Sequence, residues 1–276
     1  MSSHVRQDNH PIDQDIQSLI SKRYKRITKA INSKFWDSTS ETAHSRYVGS
    51  YGRGTAINTS DLDVLMELPD SVFKLFSDRS RNGQSQLLQA VRSAIGDTYA
   101  TTDISGDGQV VSVNFSDDMK FEILPAFRNI DYCGIWNGTY KYPDTHMGGN
   151  WMTTNPMAEQ DAMDEKDDYN HSNGLLKDTC KHIRFVKSES FKSYHLSGIL
   201  IDSFVYKSIG YWHWLRDDEE KSNGNDKCFE EILWDYYINN YPHASLITPE
   251  LSAPGSGMKV TGDDWEVLGK VLNKMV

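Results

Sequence analysis

The chain has 276 residues, 38% of them hydrophobic, and a formal net charge of -10. That length sustains the core of one large domain or of two lobes, and the acidity argues against a general basic face of the kind that grips a long polyanionic duplex. Three cysteines without paired spacing (Cys133, Cys180, Cys228) indicate neither a disulfide framework nor a zinc ribbon, and fit a reducing cytoplasm.

The opening segment MSSHVRQDNHPIDQDIQ lacks a basic stretch followed by an apolar core, and no run approaches the ~18 apolar residues of a membrane span. The expectation is a soluble, unexported protein. From Ile12 to Phe35 apolar residues recur at helical spacing (Ile16, Leu19, Ile20, Tyr24, Ile27, Ile31), with Lys and Arg on the other face, which predicts a long amphipathic helix. Arg46-Tyr47-Val48 predicts a short strand ending at Gly49-Ser50, where the glycines of YGRGT suit a close backbone approach.

Asp61 to Leu68 alternates: Leu62, Val64, Met66 and Leu68 share one face, and Asp61, Asp63, Leu65 and Glu67 the other. This predicts a strand with two acids on its open face, ended by Pro69. Leu87, Leu88, Val91, Ala94 and Ile95 form a helical stripe; Val110 to Phe115 and Lys120 to Leu124 read as a hairpin carrying Glu122, joined by Ser116 to Met119. After Phe127 comes an aromatic and glycine-rich stretch (Trp136, Tyr140, Tyr142, Trp151), then an acidic run, Glu159 to Asp168, that opens a helix. Leu175 to Val186, Ser193 to about Trp214 and Lys227 to Tyr241 read as helices, with a loop at Ser222 to Asn225. The expected organisation is a strand-rich lobe, 1–160, and a helical lobe, 161–276.

Asp61 and Asp63 lie on one strand face, so their carboxylates can share divalent cations. A bare DxD is most often a solvated strand face. Order and context favour chemistry here: a Gly-Ser turn precedes the pair and a further acid follows on a later hairpin. Phosphoryl transfer needs a metal pair about 4 Å apart, for which three carboxylates on adjacent strands are a minimal scaffold. The turn supplies backbone N–H groups and a hydroxyl to a phosphate.

GSYGRGTAINTSDLDVLMELP, residues 49–69, resembles the GS-x(9–13)-DxD motif of polymerase beta-like nucleotidyltransferases. KFEILPAF at 120–127 and NWMTTNP at 150–156 resemble, more narrowly, the bacterial cGAS/DncV-like enzymes, relatives of oligoadenylate synthase. The resemblance runs from about residue 14 to about residue 210 and implies an α+β fold: a mixed sheet flanked by helices, a long N-terminal helix and a C-terminal helical lobe. It also implies a synthase of cyclic di- or oligonucleotide second messengers in anti-phage defence, with NTP substrates (ATP, GTP, UTP or CTP), a product that binds a separate effector, and no long nucleic acid or membrane partner. Gly49 and Ser50 would hold the triphosphate; Asp61, Asp63 and Glu122 would hold two Mg2+ ions, with Mn2+ as an alternative. Many relatives carry Asp where this chain has Glu122. The resemblance further implies Lys181 and Ser193 at the triphosphate and Tyr194 stacked on a base.

The four histidines His171, His182, His195 and His213 show no consistent ligand spacing and are assigned nothing. Two rivals stand beside the synthase: a nucleotidyltransferase acting on a protein, a tRNA or a small molecule, and a catalytically silent module that keeps the fold for recognition.

Overall fold

The computed structural model of the chain describes residues 4–8, 10–57, 61–79, 82–219, 227–243, 249–260 and 264–276. The chain divides into two compact units of interleaved segments: Asp13–Gly52 with Asp61–Met157, and Met1–Ile12 with Arg53–Ser60 and Ala158–Val276. The loop expected at Ser222 to Asn225 lies outside the described residues.

In the strand-bearing unit, α1 (Gln14–Phe35) buries Ile20, Tyr24, Ile27 and Ile31, the spacing of one helical face. It is tied to the sheet by polar contacts: Tyr24 Oη and Ser45 Oγ lie 2.7 Å apart, and Trp36 Nε1 donates to the Glu67 carbonyl at 2.9 Å. Those partners lie on β1 (Ser45–Tyr47) and β2 (Leu62–Glu67), which pair antiparallel. Between them Gly49–Gly52 makes a single helical turn, α2.

Two further helices, α3 (Asp70–Ser77) and α4 (Gly83–Gly96), lead into the hairpin of β3 (Asp103–Asp107) and β4 (Val110–Asn114). Every member of the expected Leu87 to Ile95 stripe on α4 is buried. The long β5 (Lys120–Ile130) pairs antiparallel with β4 and parallel with β2. The order β1-β2-β5-β4-β3 is extended off β5 by β6 (Trp136–Asp144) and β7 (Asn150–Thr154). The fold is thus α+β, with a mixed sheet flanked by helices.

The β2–β5 register positions the site. Parallel strands start at the same end of a sheet, so acids early in each strand emerge together. One face of this pair carries Leu62, Val64, Met66, Phe121 and Ile123, all fully buried. The other carries Asp61, Asp63, Lys120 and Glu122 at its N-terminal end. Farther along that second face Leu65 is buried with Val48, Ala126 and Tyr140, and Leu124 packs against them.

The aromatic, glycine-rich stretch is strand. Tyr140 is 1% exposed, with Trp136 and Tyr142 against the same cluster, and Trp151 packs edge-on against Phe73 and Phe127. Tyr140 is core, and the other three rings are partly buried.

The helical unit contains most of α5 (Pro156–Asp167), then α6 (Leu175–Ser190), α7 (Gly198–Ser208), α8 (Phe229–Asn240) and α9 (Trp265–Met275). Its core joins Val5, Leu176, Ile183, Phe204, Leu233, Trp265 and Leu272. The acidic run forms the body of α5; the helix opens earlier, at Pro156, a residue suited to a first helical position. The helix expected from Ser193 to Trp214 is shorter. It begins after Ser197 and ends at Ser208, because Gly210 takes φ +55°, the left-handed conformation that stops helices.

Candidate active site

Asp63 on β2 is paired in register with Glu122 on β5, and Asp61 immediately precedes β2. The three carboxylates therefore share one end of one sheet face. Asp61 is exposed and Glu122 half-buried, 59% and 28% by side chain, so the cluster opens to solvent while Phe121 and Leu62 beneath it are fully packed.

The Gly-Ser turn abuts this cluster. Gly49 has φ +59°, and a Cβ there would lie 1.9 Å from Asp63 Oδ2 and 2.7 Å from its Cγ. Only glycine fits both the conformation and the space. The Val48 N–H donates to the Asp63 carbonyl at 2.9 Å, and Gly52 closes the turn onto the Val48 carbonyl at 2.9 Å. The turn is thus held directly against the acids, with Ser50 as its second residue.

Lys120, which the sequence reading passed over, lies within the cluster. Its ammonium hydrogen-bonds to Glu122 Oε1 and lies 3.9 Å from Asp61 Oδ2. The hydrogen bond to Glu122 pushes the Lys120 ammonium above its ordinary range, against partial desolvation, with Glu122, Asp61 and Asp63 adding their charge. Partial desolvation likewise pushes the Asp61 carboxyl up; Lys120 opposes the shift and Glu122 reinforces it. The signal was available: Lys120 is two positions before Glu122, hence on the same strand face.

The chemistry of the cluster is that of a site for a divalent cation. Its donors are carboxylate oxygens alone, the set suited to hard ions such as Mg2+, and a cationic ammonium already stands among them.

The segment following the turn, Arg53 to Ile57, belongs to the helical unit. Arg53 is buried and donates to Asp202 Oδ2 at 2.8 Å and to Glu159 Oε2 at 3.0 Å; Thr55 Oγ1 donates to Asp202 at 3.0 Å. Arg184 grips the same carboxylate from α6 at 2.7 and 2.9 Å. Burial opposes ionisation of Asp202, yet the Arg184 and Arg53 guanidiniums outweigh it and hold the carboxyl down at about 2.

The remaining sequence candidates also lie in the helical unit. Lys181 is half-buried on α6. Ser193 and Tyr194 lie in the turn ahead of α7 rather than on a helix. Tyr194 is 48% exposed, with the Lys270 ammonium 5.0 Å from its ring centroid. The four unassigned histidines all have structural partners: His171 meets Asp168, His195 meets Asp264, His213 meets Glu219, and His182 meets His10.

A mixed sheet presenting three carboxylates beside a Gly-Ser turn is the arrangement that the nucleotidyltransferase resemblance implies. Residues 6–167 match the family model of the Second Messenger Oligonucleotide or Dinucleotide Synthetase domain, more than half of the sequence, and the chain belongs to this family. No curated protein matches it in sequence.

Solved structures share its fold. One is Elizabethkingia meningoseptica CdnE cyclic dinucleotide synthase with GTP and Apcpp: TM-score 0.63, 14% identity, covering 99% of this chain and 94% of that one. A second is a STING-associated CdnE c-di-GMP synthase from Capnocytophaga granulosa: TM-score 0.61, 14% identity, 94% and 80% covered. A third is Vibrio cholerae DncV cyclic AMP-GMP synthase: TM-score 0.52, 10% identity, 83% and 61% covered. The chain is a bacterial cGAS/DncV-like nucleotidyltransferase, of the family that makes cyclic oligonucleotides. Among the described residues no helix is long and apolar enough to cross a membrane.

Proposed function

We propose that this protein condenses nucleoside triphosphates into a cyclic di- or oligonucleotide, releasing pyrophosphate, as the signal-generating enzyme of a cytoplasmic anti-phage (CBASS) system whose effector binds the product. The observation that carries the reading is the pairing of Asp63 with Glu122 across parallel strands, with Asp61 beside them and Gly49 against Asp63.

Asp61, Asp63 and Glu122 would hold two Mg2+ ions, or Mn2+ in their place. Bound there, the ions would neutralise the triphosphate and make the attacking hydroxyl more acidic. The chain's own residues supply position. The Gly49-Ser50 turn offers backbone N–H groups and a hydroxyl to the donor's phosphates, close to the acids because glycine lets the backbone approach. Asp61 and Asp63 would hold the cations that offset the charge of the α-phosphate, where a 2'- or 3'-hydroxyl of the acceptor attacks and pyrophosphate leaves. A second transfer closes the ring. Lys181 and Ser193 are assigned to the triphosphate and Tyr194 to a base on the family resemblance.

The test is incubation of the purified protein with Mg2+ and each NTP, alone and in pairs, followed by phosphatase treatment and mass analysis. Phosphatase-resistant cyclic products, absent from an Asp61→Asn/Asp63→Asn variant, support the reading. Transfer only to an added protein, tRNA or small molecule would replace it with the rival acceptor, and unchanged turnover in the double variant would sink it.

A further inference from the structure

A second cluster of metal-ligand side chains lies in the helical unit, formed by residues 224 positions apart in the chain. His4, Cys228 and Glu230 each offer one ligand atom, all within 4.8 Å of one another. We propose that these three side chains bind a structural zinc ion that clips the N-terminal segment to the start of α8, with water completing the coordination.

Three features support it. The first is charge. Glu230 is 4% exposed, yet its only ion pair among the described residues is with His4, 3.6 Å away; its other oxygen accepts the Val5 N–H. A buried carboxylate is costly unless positive charge stands beside it, and the neighbouring thiol brings none. A divalent ion does.

The second is residue choice. Cys228 is the N-cap of α8, in a capping box whose reciprocal arm is the Cys228 N–H donating to Glu231 Oε2 at 2.8 Å. Ser, Thr, Asp or Asn serve this position better, since a thiol is a weak acceptor. A cysteine here is unremarkable as a cap but apt as a thiolate ligand.

The third is geometry. Tetrahedral zinc with bonds of roughly 2.0–2.3 Å places its ligands about 3.3–3.7 Å apart. The His4 Nδ1 to Glu230 Oε2 separation of 3.6 Å already meets this. The wider limit of the cluster, 4.8 Å, closes with a movement of about 1 Å. The backbone is positioned for it, because Val5 is buried in the helical core and fixes His4 beside α8. A set of one nitrogen, one sulfur and one oxygen suits zinc over Mg2+, so this site and the carboxylate cluster select different ions.

The test uses the full chain, without a polyhistidine tag and stripped by chelator, in the Asp61→Asn/Asp63→Asn background so that the catalytic acids do not compete. Zn2+ is titrated against a chromophoric chelator, and Co2+ serves as the spectroscopic probe. The expected result is one metal per chain, a thiolate-to-cobalt charge-transfer band and a higher melting temperature with Zn2+. Cys228→Ser, which keeps a capping hydroxyl, should abolish the band and weaken Zn2+ binding about 100-fold. His4→Ala, at an exposed position, should weaken it at least about 10-fold while leaving the metal-free melting temperature unchanged. Absence of the band, or Zn2+ affinity unchanged in both variants, overturns the proposal.

Discussion

The Gly49 backbone lies against the Asp63 carboxylate so closely that an added methyl group would sit 1.9 Å from Oδ2. Gly49→Ala must therefore displace Asp63 or the turn, on top of about 1 kcal/mol of left-handed strain. Displacement of about 1 Å at a reacting centre lowers rates roughly 100-fold. Steady-state product formation should fall by at least that factor while thermal unfolding shifts only modestly. A variant of near-normal turnover would show that the turn and the acid do not act together.

Lys120 neutralises the acids that the metals would engage. Replacing it with Met removes one positive charge from beside Glu122 and Asp61, a change of about 1 kcal/mol at water-like screening and more in a partly desolvated site. Mn2+ affinity, followed by electron paramagnetic resonance, should rise about 5- to 10-fold. Weaker binding instead would mean that Lys120 holds Glu122 in its ligating position.

The Asp202 carboxylate is completely buried between Arg53 and Arg184. Asp202→Asn leaves the Arg184 guanidinium without a carboxylate and Arg53 with Glu159 alone, and should lower stability by about 3–5 kcal/mol in denaturant unfolding. In the parent protein the folded-state carboxyl sits below its unfolded value. Its contribution is therefore present above about pH 4 and disappears as pH falls through about 2. The variant should lack that acid-side slope.

Burial, reinforced by His182 and Lys181, holds His10 down at about 4, and its ring stacks on Phe185 with centroids 4.1 Å apart. The folded protein keeps His10 neutral where the unfolded chain would protonate it. The associated stability is fully present above about pH 6.5 and is lost as pH falls toward 4. His10→Phe keeps the stacking and should flatten the melting-temperature profile across that window.

The fold class and the common placement of the acids were legible, while several of the elements around them were not. Asp61 and Asp63 could be placed together because a strand repeats every two residues, and Glu122 because an apolar alternation surrounds it. Lys120 escaped attention because a lysine at a strand's start ordinarily points to water. β6 and β7 stayed hidden because WNGTYKYPD mixes aromatic, polar and glycine residues without clean alternation. Tyr211 and Trp212 prolonged an apolar pattern past the true end of α7, although Tyr211 is almost wholly exposed; Gly210 was the stop signal. His4 and Cys228 could not be associated by any local rule, since only tertiary packing brings them together.

The interleaving of the two units has a consequence for dissection and for inheritance. Arg53–Ser60 belongs to the helical unit, while the turn before it and the acids after it belong to the other. No single cut in the gene releases either unit as one continuous fragment. A crossover with a related gene near residue 157 would pair the Arg53 of one parent with the Glu159, Arg184 and Asp202 of the other. Exchange between relatives is therefore restricted to partners whose buried charges match, because the segment between the signature residues is inherited with the strand-bearing half yet belongs to the helical unit.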